Sequence, residues 1–363
     1  MTPEPAVAPT PAVSVVIGTR NRAALLADAI TSLVDGTPPG FGWELIVVDN
    51  GSTDGTRAML DGLMAGGAPI RYIHEPGEGV WRARNAGIAA ARAPVVAFMD
   101  DDQMAGHGWV AVIHETLTGA PSLDFVCGPV RALWESPRPP WLEGPVLGAI
   151  SILDRGLAPL PIDASHWMCL PGGNMACRRA VLEALGGFAP YRRSQDRELT
   201  VRLLLRGRRG RYEPAMIMGH RVSGDRCTRR HARRWHATEG RMRAGYQFLE
   251  LFDREGGIRP PDPGRPMFLG VSRFVYRDLA AEFGRMVGAA LRARPGDAFG
   301  HELRVRYTWH YILGRVVSRS RDDSRGGSGG RGAAAAAARG TGEGAGRPRT
   351  DDRDLRGVRD HHA

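Results

Sequence analysis

Apolar runs of four or five residues recur along the first hundred positions, each followed by a polar turn and then by a stretch with helical spacing. Val13-Ser14-Val15-Val16-Ile17 leads into Gly18-Thr19-Arg20-Asn21-Arg22 and a helix from about Ala23 to Leu33. Glu44-Leu45-Ile46-Val47-Val48 leads into Asp49-Asn50-Gly51-Ser52-Thr53-Asp54-Gly55 and a second helix from about Thr56. Ile70-Arg71-Tyr72-Ile73 precedes a third helix over Gly79 to Ala91, and Val95-Val96-Ala97-Phe98-Met99 is a fourth strand. Short continuous apolar runs are what strands buried on both faces look like, and their alternation with helices predicts a sheet built from right-handed βαβ units.

The pattern then loosens. Phe125 to Val130 reads as a strand, and the Pro-rich segment from Pro137 to Pro161 as a long loop. Arg178 to Leu185 is a helix stopped by Gly186-Gly187, since glycine is the residue that most readily ends a helix. Gln195 to Arg206 is a further helix, and Arg211 to Met218 a strand leading to His220. Residues 226–320 read as helical and rich in arginine and aromatics. From 321 the chain is Gly/Arg/Ser/Ala low complexity, which predicts a disordered tail. The expected organisation is thus a flexible segment over 1–12, an α/β domain over 13–225 divided near 102, a helical extension and the tail.

Charge sharpens that division. The net charge of +10 carries no lysine at all. Residues 1–220 hold 20 arginines against 22 acidic residues, and residues 221–363 hold 29 against 17. Basicity confined to the back argues against nucleic-acid binding by the whole chain, and no recognisable nucleic-acid module is present. The arginine-rich part has two readings, a surface approaching an anionic membrane or lipid carrier and solvated helices packing on the core. Four widely spaced cysteines without a Cys-x-x-Cys pair fit a reducing cytoplasm, with neither a zinc ribbon nor a disulfide framework. The N-terminal residues lack the basic and apolar regions of a signal peptide, and no apolar stretch is long enough to span a membrane, so the expected location is cytoplasmic, at most peripheral at the inner face of the membrane.

The candidate chemistry lies at the carboxyl ends of the strands, where open α/β sheets bind ligands. Asp100-Asp101-Asp102 directly follows the fourth apolar run. Three adjacent carboxylates repel one another unless a cation neutralises them, and hard oxygen donors suit Mg²⁺ or Mn²⁺. Taken singly, this triplet is also readable as a solvated acidic turn, Asp49-Asn50-Gly51-Ser52 as a capped turn, and Arg84-Asn85 as an exposed helix face. Their agreement in phase at successive strand ends favours a shared crevice.

These residues resemble those of family 2 glycosyltransferases with the GT-A fold. The resemblance is carried by residues 14–22, Glu44 to Thr56, Arg84-Asn85-Ala86-Gly87 and Phe98 to Asp102. It continues through Gly172-Gly173-Asn174-Met175-Ala176, Ser194 to Leu199, Tyr212-Glu213-Pro214 and His220. It covers about residues 12–225 and implies a Rossmann-like mixed sheet flanked by helices. The activity implied is inverting transfer of a sugar from a nucleotide-diphosphate donor, UDP- or dTDP-linked by analogy, to a hydroxyl acceptor such as a lipid-linked glycan or small molecule.

By the same resemblance Asp49 faces the nucleotide base. Thr19, Arg20, Asn21, Arg84, Asn85, Asp100 and Asp101 line the nucleotide-sugar site, with Asp100 on the ribose and Asp101 turned toward the fold or the nucleoside. Asp102 and His220 are ligands of a divalent cation, Mn²⁺ or Mg²⁺, and Gly173 and Asn174 belong to the acceptor-side loop. An acceptor hydroxyl attacking an oxocarbenium-like sugar needs one carboxylate base. Asp196 is the matching residue, at a helix start where the dipole favours its ionised form, and Glu198 is its rival. The family usually has an acidic residue before this Asp, and here Gln195 stands instead. Trp141 reads as a packing residue or as a platform for a sugar or lipid. The competing functions are a nucleotidyltransferase, disfavoured by the lack of a Gly-rich, Lys-bearing phosphate loop, and a sugar-nucleotide-binding protein without transferase activity.

Overall fold

The computed structural model describes residues 10–37, 42–191, 193–253 and 256–325. In chain order the first elements are β1 (Val13–Thr19), α1 (Ala23–Asp35), β2 (Trp43–Asp49), α2 (Thr56–Ala65), β3 (Ile70–His74), α3 (Val80–Ala90) and β4 (Val95–Asp100). They are followed by β5 (Gln103–Ala105), α4 (Trp109–Gly119), β6 (Phe125–Cys127), β7 (Val130–Trp134) and β8 (Leu160–Ile162). Next come β9 (Met175–Arg178), α5 (Arg179–Ala184), α6 (Gln195–Leu205), β10 (Gly210–Tyr212) and β11 (Met218–Val222).

The large sheet runs β3-β2-β1-β4-β9-β6-β10-β8. The first four strands in this order are parallel. β9 enters antiparallel to both β4 and β6, which makes the sheet mixed. Val13, Val15 and Ile17 of β1 pack on Leu26, Ile30 and Leu33 of α1 and on Trp109, Ile113 and Leu117 of α4, all in one buried cluster. On the other face Val16 meets α3 so closely that a Cβ on Gly87 would lie 2.3 Å from Val16 Cγ1. Only glycine lets this helix approach its strand. The Gly87 of the motif is therefore a packing residue.

Three expectations change. The strand expected over Phe125 to Val130 is two strands, β6 and β7, in different sheets, because the chain turns at Gly128-Pro129. Arg211 to Met218 likewise divides into β10 and β11, interrupted at Pro214, whose missing N–H cannot serve a ladder. The loop over Pro137 to Pro161 contains a 3-10 helical segment over Gly144–Ile150.

That second division matters for function. β11 joins a three-stranded sheet, β5-β11-β7, with Gln103 paired opposite His220. The residue after the acidic triplet is thereby tied in register to the histidine.

The chain forms two compact units, residues 1–143, 147–231 and 257–259 in one, and 144–146, 232–256 and 260–363 in the other. In chain order the later elements are α7 (Arg229–Ala244), a 3-10 turn at Phe248–Leu251, β12 (Met267–Phe268), β13 (Val271–Ser272), α8 (Arg273–Leu291) and α9 (Pro295–Arg325). Helix α9 continues to Arg325, so the first residues of the expected low-complexity tail are helical. The rest of that tail, and residues 1–9 of the N-terminal segment, lie outside the described residues. Among the described residues no helix is long and apolar enough to cross a membrane.

The second unit is held by buried charge as well as by apolar contact. Arg243 is 1% exposed, pairs with Glu239 at 2.9 Å and lies over the rings of Trp235, Phe248 and Tyr307. Glu250 is 3% exposed and accepts from the Tyr311 hydroxyl. Burial pushes its carboxyl up to about 7, against the pull of Arg315 and Arg265. The folded chain thus holds this proton more tightly than the unfolded chain, so stability should fall as pH rises from the ordinary glutamate range through about 7. Glu250→Gln is expected to remove that decline and to stabilise the protein by about 2 kcal/mol at pH 8. Thermal unfolding of both proteins across pH checks this, and parallel curves would contradict it.

Candidate functional site

The carboxyl ends of β1, β2 and β4 bring three polar turns to one edge of the large sheet. Asn21 adopts a left-handed conformation, φ 54°, which a short polar side chain tolerates. Its N–H donates to Ser52 Oγ at 3.0 Å, and its Oδ1 accepts from the Thr53 N–H at 2.7 Å. Asn21 therefore fastens the first turn to the second. Asp49 is 2% exposed and accepts from the Ser52 N–H at 2.8 Å and from the Tyr72 hydroxyl at 3.2 Å. Arg20 is half-exposed and pairs with Glu78 at 2.8 Å.

The three members of the acidic triplet differ. Asp101 is buried, accepting from Thr19 Oγ1 at 2.8 Å and from Arg22 at 2.8 Å. Burial raises its pKa against these partners. It faces into the fold. Asp100 accepts from Arg84 at 3.0 Å and stays 43% exposed in its side chain. Asp102 has one oxygen 3.5 Å from His220 Nε2 and the other 3.2 Å from Arg22. Although burial opposes ionisation, His220, Arg22 and Arg226 hold its carboxyl below the usual carboxylate range. β4 ends at Asp100 and the chain turns through Asp101 and Asp102 before β5, so the three side chains leave the backbone in different directions.

Two arginines that the sequence motifs did not single out complete this corner. Arg22 binds Asp101 and Asp102 together, and these carboxylates raise its pKa although burial lowers it. Arg226 stands 3.2 Å from His220 Nε2, and burial pulls its guanidinium down against the charge of Asp102. Arg22 was visible as the end of the first turn. Arg226 had no signal beyond lying six residues after the histidine.

The loop over Gly172-Gly173-Asn174 packs against this group. A Cβ on Gly173 would lie 2.5 Å from both Asp100 Oδ2 and Gln103 Oε1. One on Gly172 would lie 2.9 Å from Arg84 Nη1 and Nη2 and 3.2 Å from Asp196 Cβ. Two adjacent glycines thus allow Arg84, Asp100 and Asp196 to share one place. Asn174 lies beneath this loop, not on its surface. It is fully buried, accepts from Trp109 Nε1 and donates to the Pro129 and Met216 carbonyls. Its side chain holds the loop in position and has no exposed atom for an acceptor.

Asn85 is engaged likewise, pairing both side-chain polar atoms with the Phe188 backbone at 2.8 and 2.9 Å. Arg84 beside it lies 5.1 Å from the centre of the Phe188 ring.

Asp196 is the second residue of α6, and its Oδ1 accepts from the Arg197 N–H at 2.8 Å. Glu198 is buried and bound by two nitrogens of Arg202 at 2.7 and 2.8 Å. Both of its oxygens are thereby occupied by the guanidinium. Gln195 is also buried, donating to the Tyr191 carbonyl at 2.6 Å. The residue that departs from the family pattern therefore points into the fold.

Asp102 Oδ1 and His220 Nε2 are donors that a divalent cation could take as a pair, provided the Arg226 nitrogen 3.2 Å from that Nε2 moves aside. Octahedral ligands at about 2.1 Å from a metal are separated by roughly 3 Å, close to the 3.5 Å between Asp102 Oδ1 and His220 Nε2. Among the described residues no group of three or more His, Cys, Asp or Glu gathers, so a cation held by this pair would need further ligands from outside these side chains.

Residues 14–186 match the model of the family described as glycosyl transferase family 2. The chain is 26% identical over 315 residues to a pre-mycofactocin glycosyltransferase of Mycobacterium tuberculosis, covering 85% of this chain and 61% of that one. It thus spans about three-fifths of that relative's length. A validoxylamine A glucosyltransferase of Streptomyces hygroscopicus subsp. jinggangensis is 36% identical over 124 residues, 32% of this chain and 28% of its own. Among solved structures, a mannosyltransferase from Pyrobaculum calidifontis in complex with GDP-Man and Mn²⁺ superposes with a TM-score of 0.51 at 18% identity. That match covers 88% of this chain and 89% of the other, and at such identity it speaks for the fold alone.

Proposed function

The chain belongs to glycosyl transferase family 2 through residues 14–186, and from that premise we propose that it moves a sugar from a nucleotide diphosphate to a hydroxyl acceptor with inversion. The observation that carries this reading is the convergence of Arg84, Asp100 and Asp196 on the Gly172-Gly173 turn. It sets a cation, a carboxylate and a base candidate around one small space. The relatives named as glycosyltransferases support the same class.

In this reading Asp49, steadied by Ser52 and Tyr72, accepts from a pyrimidine ring N–H of the donor. Thr19, Arg20 and Asn21 line the nucleoside side of the crevice. Asp100 accepts from the ribose, and Arg84 beside it faces the diphosphate. Asp102 and His220 would hold Mn²⁺ or Mg²⁺. A cation held there would supply Lewis-acid stabilisation to the departing diphosphate. Arg22 and Arg226 add positive charge to the same corner, where preorganised cations favour negative charge developing on a leaving group. Asp196 takes the proton of the acceptor hydroxyl as the sugar–phosphate bond breaks, on the face opposite the diphosphate.

Turnover of a panel of nucleotide sugars, with and without Mn²⁺ or Mg²⁺, tests the reading. Nucleotide diphosphate should be released from at least one UDP- or dTDP-linked donor. No binding or cleavage of any nucleotide sugar would refute it, and binding without cleavage or transfer would favour a non-catalytic sugar-nucleotide-binding protein.

A further inference from the structure

The second unit carries a surface that the transferase chemistry does not use. Helices α8 and α9 are joined by Arg292-Ala293-Arg294 alone, so they run antiparallel as a hairpin. Tyr276, Ala280, Phe283, Val287 and Leu291 recur on α8 every three or four residues, which places them on one face. Ordinarily such a stripe is buried. Here Phe283 is 53% exposed and Leu291 82%. Helix α9 repeats the pattern with Val305, Trp309, Leu313 and Val317, and Trp309 is 50% exposed.

The two stripes meet in an open apolar groove of about 360 Å³, lined by Tyr276, Phe283, Val305 and Trp309 among others. The surface extends to the β12–β13 hairpin, where the Phe268 ring packs edge-on against Tyr276 at 5.6 Å. Met267, Phe268 and Leu269 are all exposed at that tip. A continuous apolar face of this kind on an otherwise polar unit marks an interaction surface.

Charge decides among occupants. Residues 260–325 hold 12 arginines against seven acidic residues. The exposed Arg273 shares the α8 face, three residues before Tyr276, and Arg292 and Arg294 are exposed at the hairpin turn. The carboxylates of α8, Asp278 and Glu282, lie off the stripe and are paired with Arg277 and Arg285. A second copy of this surface would bring like charges together. An anionic bilayer accepts both the apolar face and the arginine rim, with aromatic residues at the depth of the headgroups.

We propose that the α8–α9 hairpin and the β12–β13 tip form a docking face for an anionic phospholipid surface, holding the protein peripherally on a membrane. The face lies wholly within the second unit, and this inference stands apart from the transferase reading.

Co-sedimentation of the full chain with vesicles tests it, using phosphatidylglycerol–phosphatidylcholine mixtures against phosphatidylcholine alone. Binding to the anionic vesicles is expected to be at least roughly tenfold tighter and to weaken with added salt. Leu291→Glu and Trp309→Glu, at exposed positions outside the crevice, should each reduce it roughly tenfold or more while the thermal transition and nucleotide-sugar binding remain unchanged. Arg273→Glu should weaken binding to the anionic vesicles selectively. Absence of vesicle binding, or equal binding to both compositions, would overturn the proposal. So would a salt-stable dimer in light scattering that Leu291→Glu dissociates without any effect on lipid binding.

Discussion

Asp196→Asn is expected to lower sugar transfer by roughly 10²–10⁴-fold, the range over which a positioned general base acts, while nucleotide-sugar affinity stays near that of the parent protein. The substitution conserves shape, and the amide oxygen can still accept from the Arg197 N–H that Asp196 Oδ1 binds. What it removes is the group able to take a proton. The position is specific to this carboxylate, since Asp196 borders the Gly172 turn that Arg84 also borders, whereas Glu198 is clasped by Arg202. Glu198→Gln should consequently show itself first in thermal stability, because it breaks a buried ion pair on α6. Calorimetric titration with the nucleotide sugar, beside a transfer assay, separates the two effects. Undiminished turnover in Asp196→Asn would remove it from the role of base, and a larger loss of turnover in a well-folded Glu198→Gln would transfer the role.

The second large effect is expected at Asp102. Asp102→Asn should weaken metal-dependent donor binding and lower turnover together, by ~10³-fold for the several kcal/mol that a correctly placed cation supplies. Chelation with EDTA should reproduce the loss, and added Mn²⁺ or Mg²⁺ should restore the parent protein but not the variant. Asp101→Asn makes the contrast. Its carboxyl is buried and tied to Thr19 and Arg22, so its removal should lower the melting temperature before it changes metal dependence. Activity independent of metal would refute the two-ligand site of Asp102 and His220. In that outcome Arg22 and Arg226, which contact Asp102 and His220, would join Arg84 as the positive charge available to a leaving diphosphate.

The contrast between neighbouring aspartates shows where sequence reasoning reached and where it stopped. The alternation of apolar runs with helical stretches was enough to place β1 to β4 and their helices, because β1, β2 and β4 are buried by their own βαβ neighbours and β3 closes the edge beside them. It was not enough for the strands after Cys127. There Gly128-Pro129 and Pro214 break what looks like one strand into two, and the halves join different sheets. Nothing local distinguishes a strand that ends from one that changes partner.

The candidate site divides along the same line. Asp49, Asp100, Asp102, Asp196 and His220 were legible as candidates because they stand in a recognisable motif order. Arg226 was not, because its role depends on lying 3.2 Å from a histidine already placed by another sheet. Asn85 and Asn174 were legible as motif residues, but their engagement with the backbone was visible only once their partners, 103 residues away at Phe188 and 42 residues away at Met216, came into contact.

The sequence by itself determined the family, the parallel half of the sheet and the residue types at the strand ends, since these follow from local burial and a continuous motif order. The tertiary structure alone decided that Arg202 binds both oxygens of Glu198 and that Gln103 pairs opposite His220. It also decided that the apolar stripes of α8 and α9 stay exposed. Each of these depends on what packs against a side chain, and that is set by contacts between segments far apart in the chain.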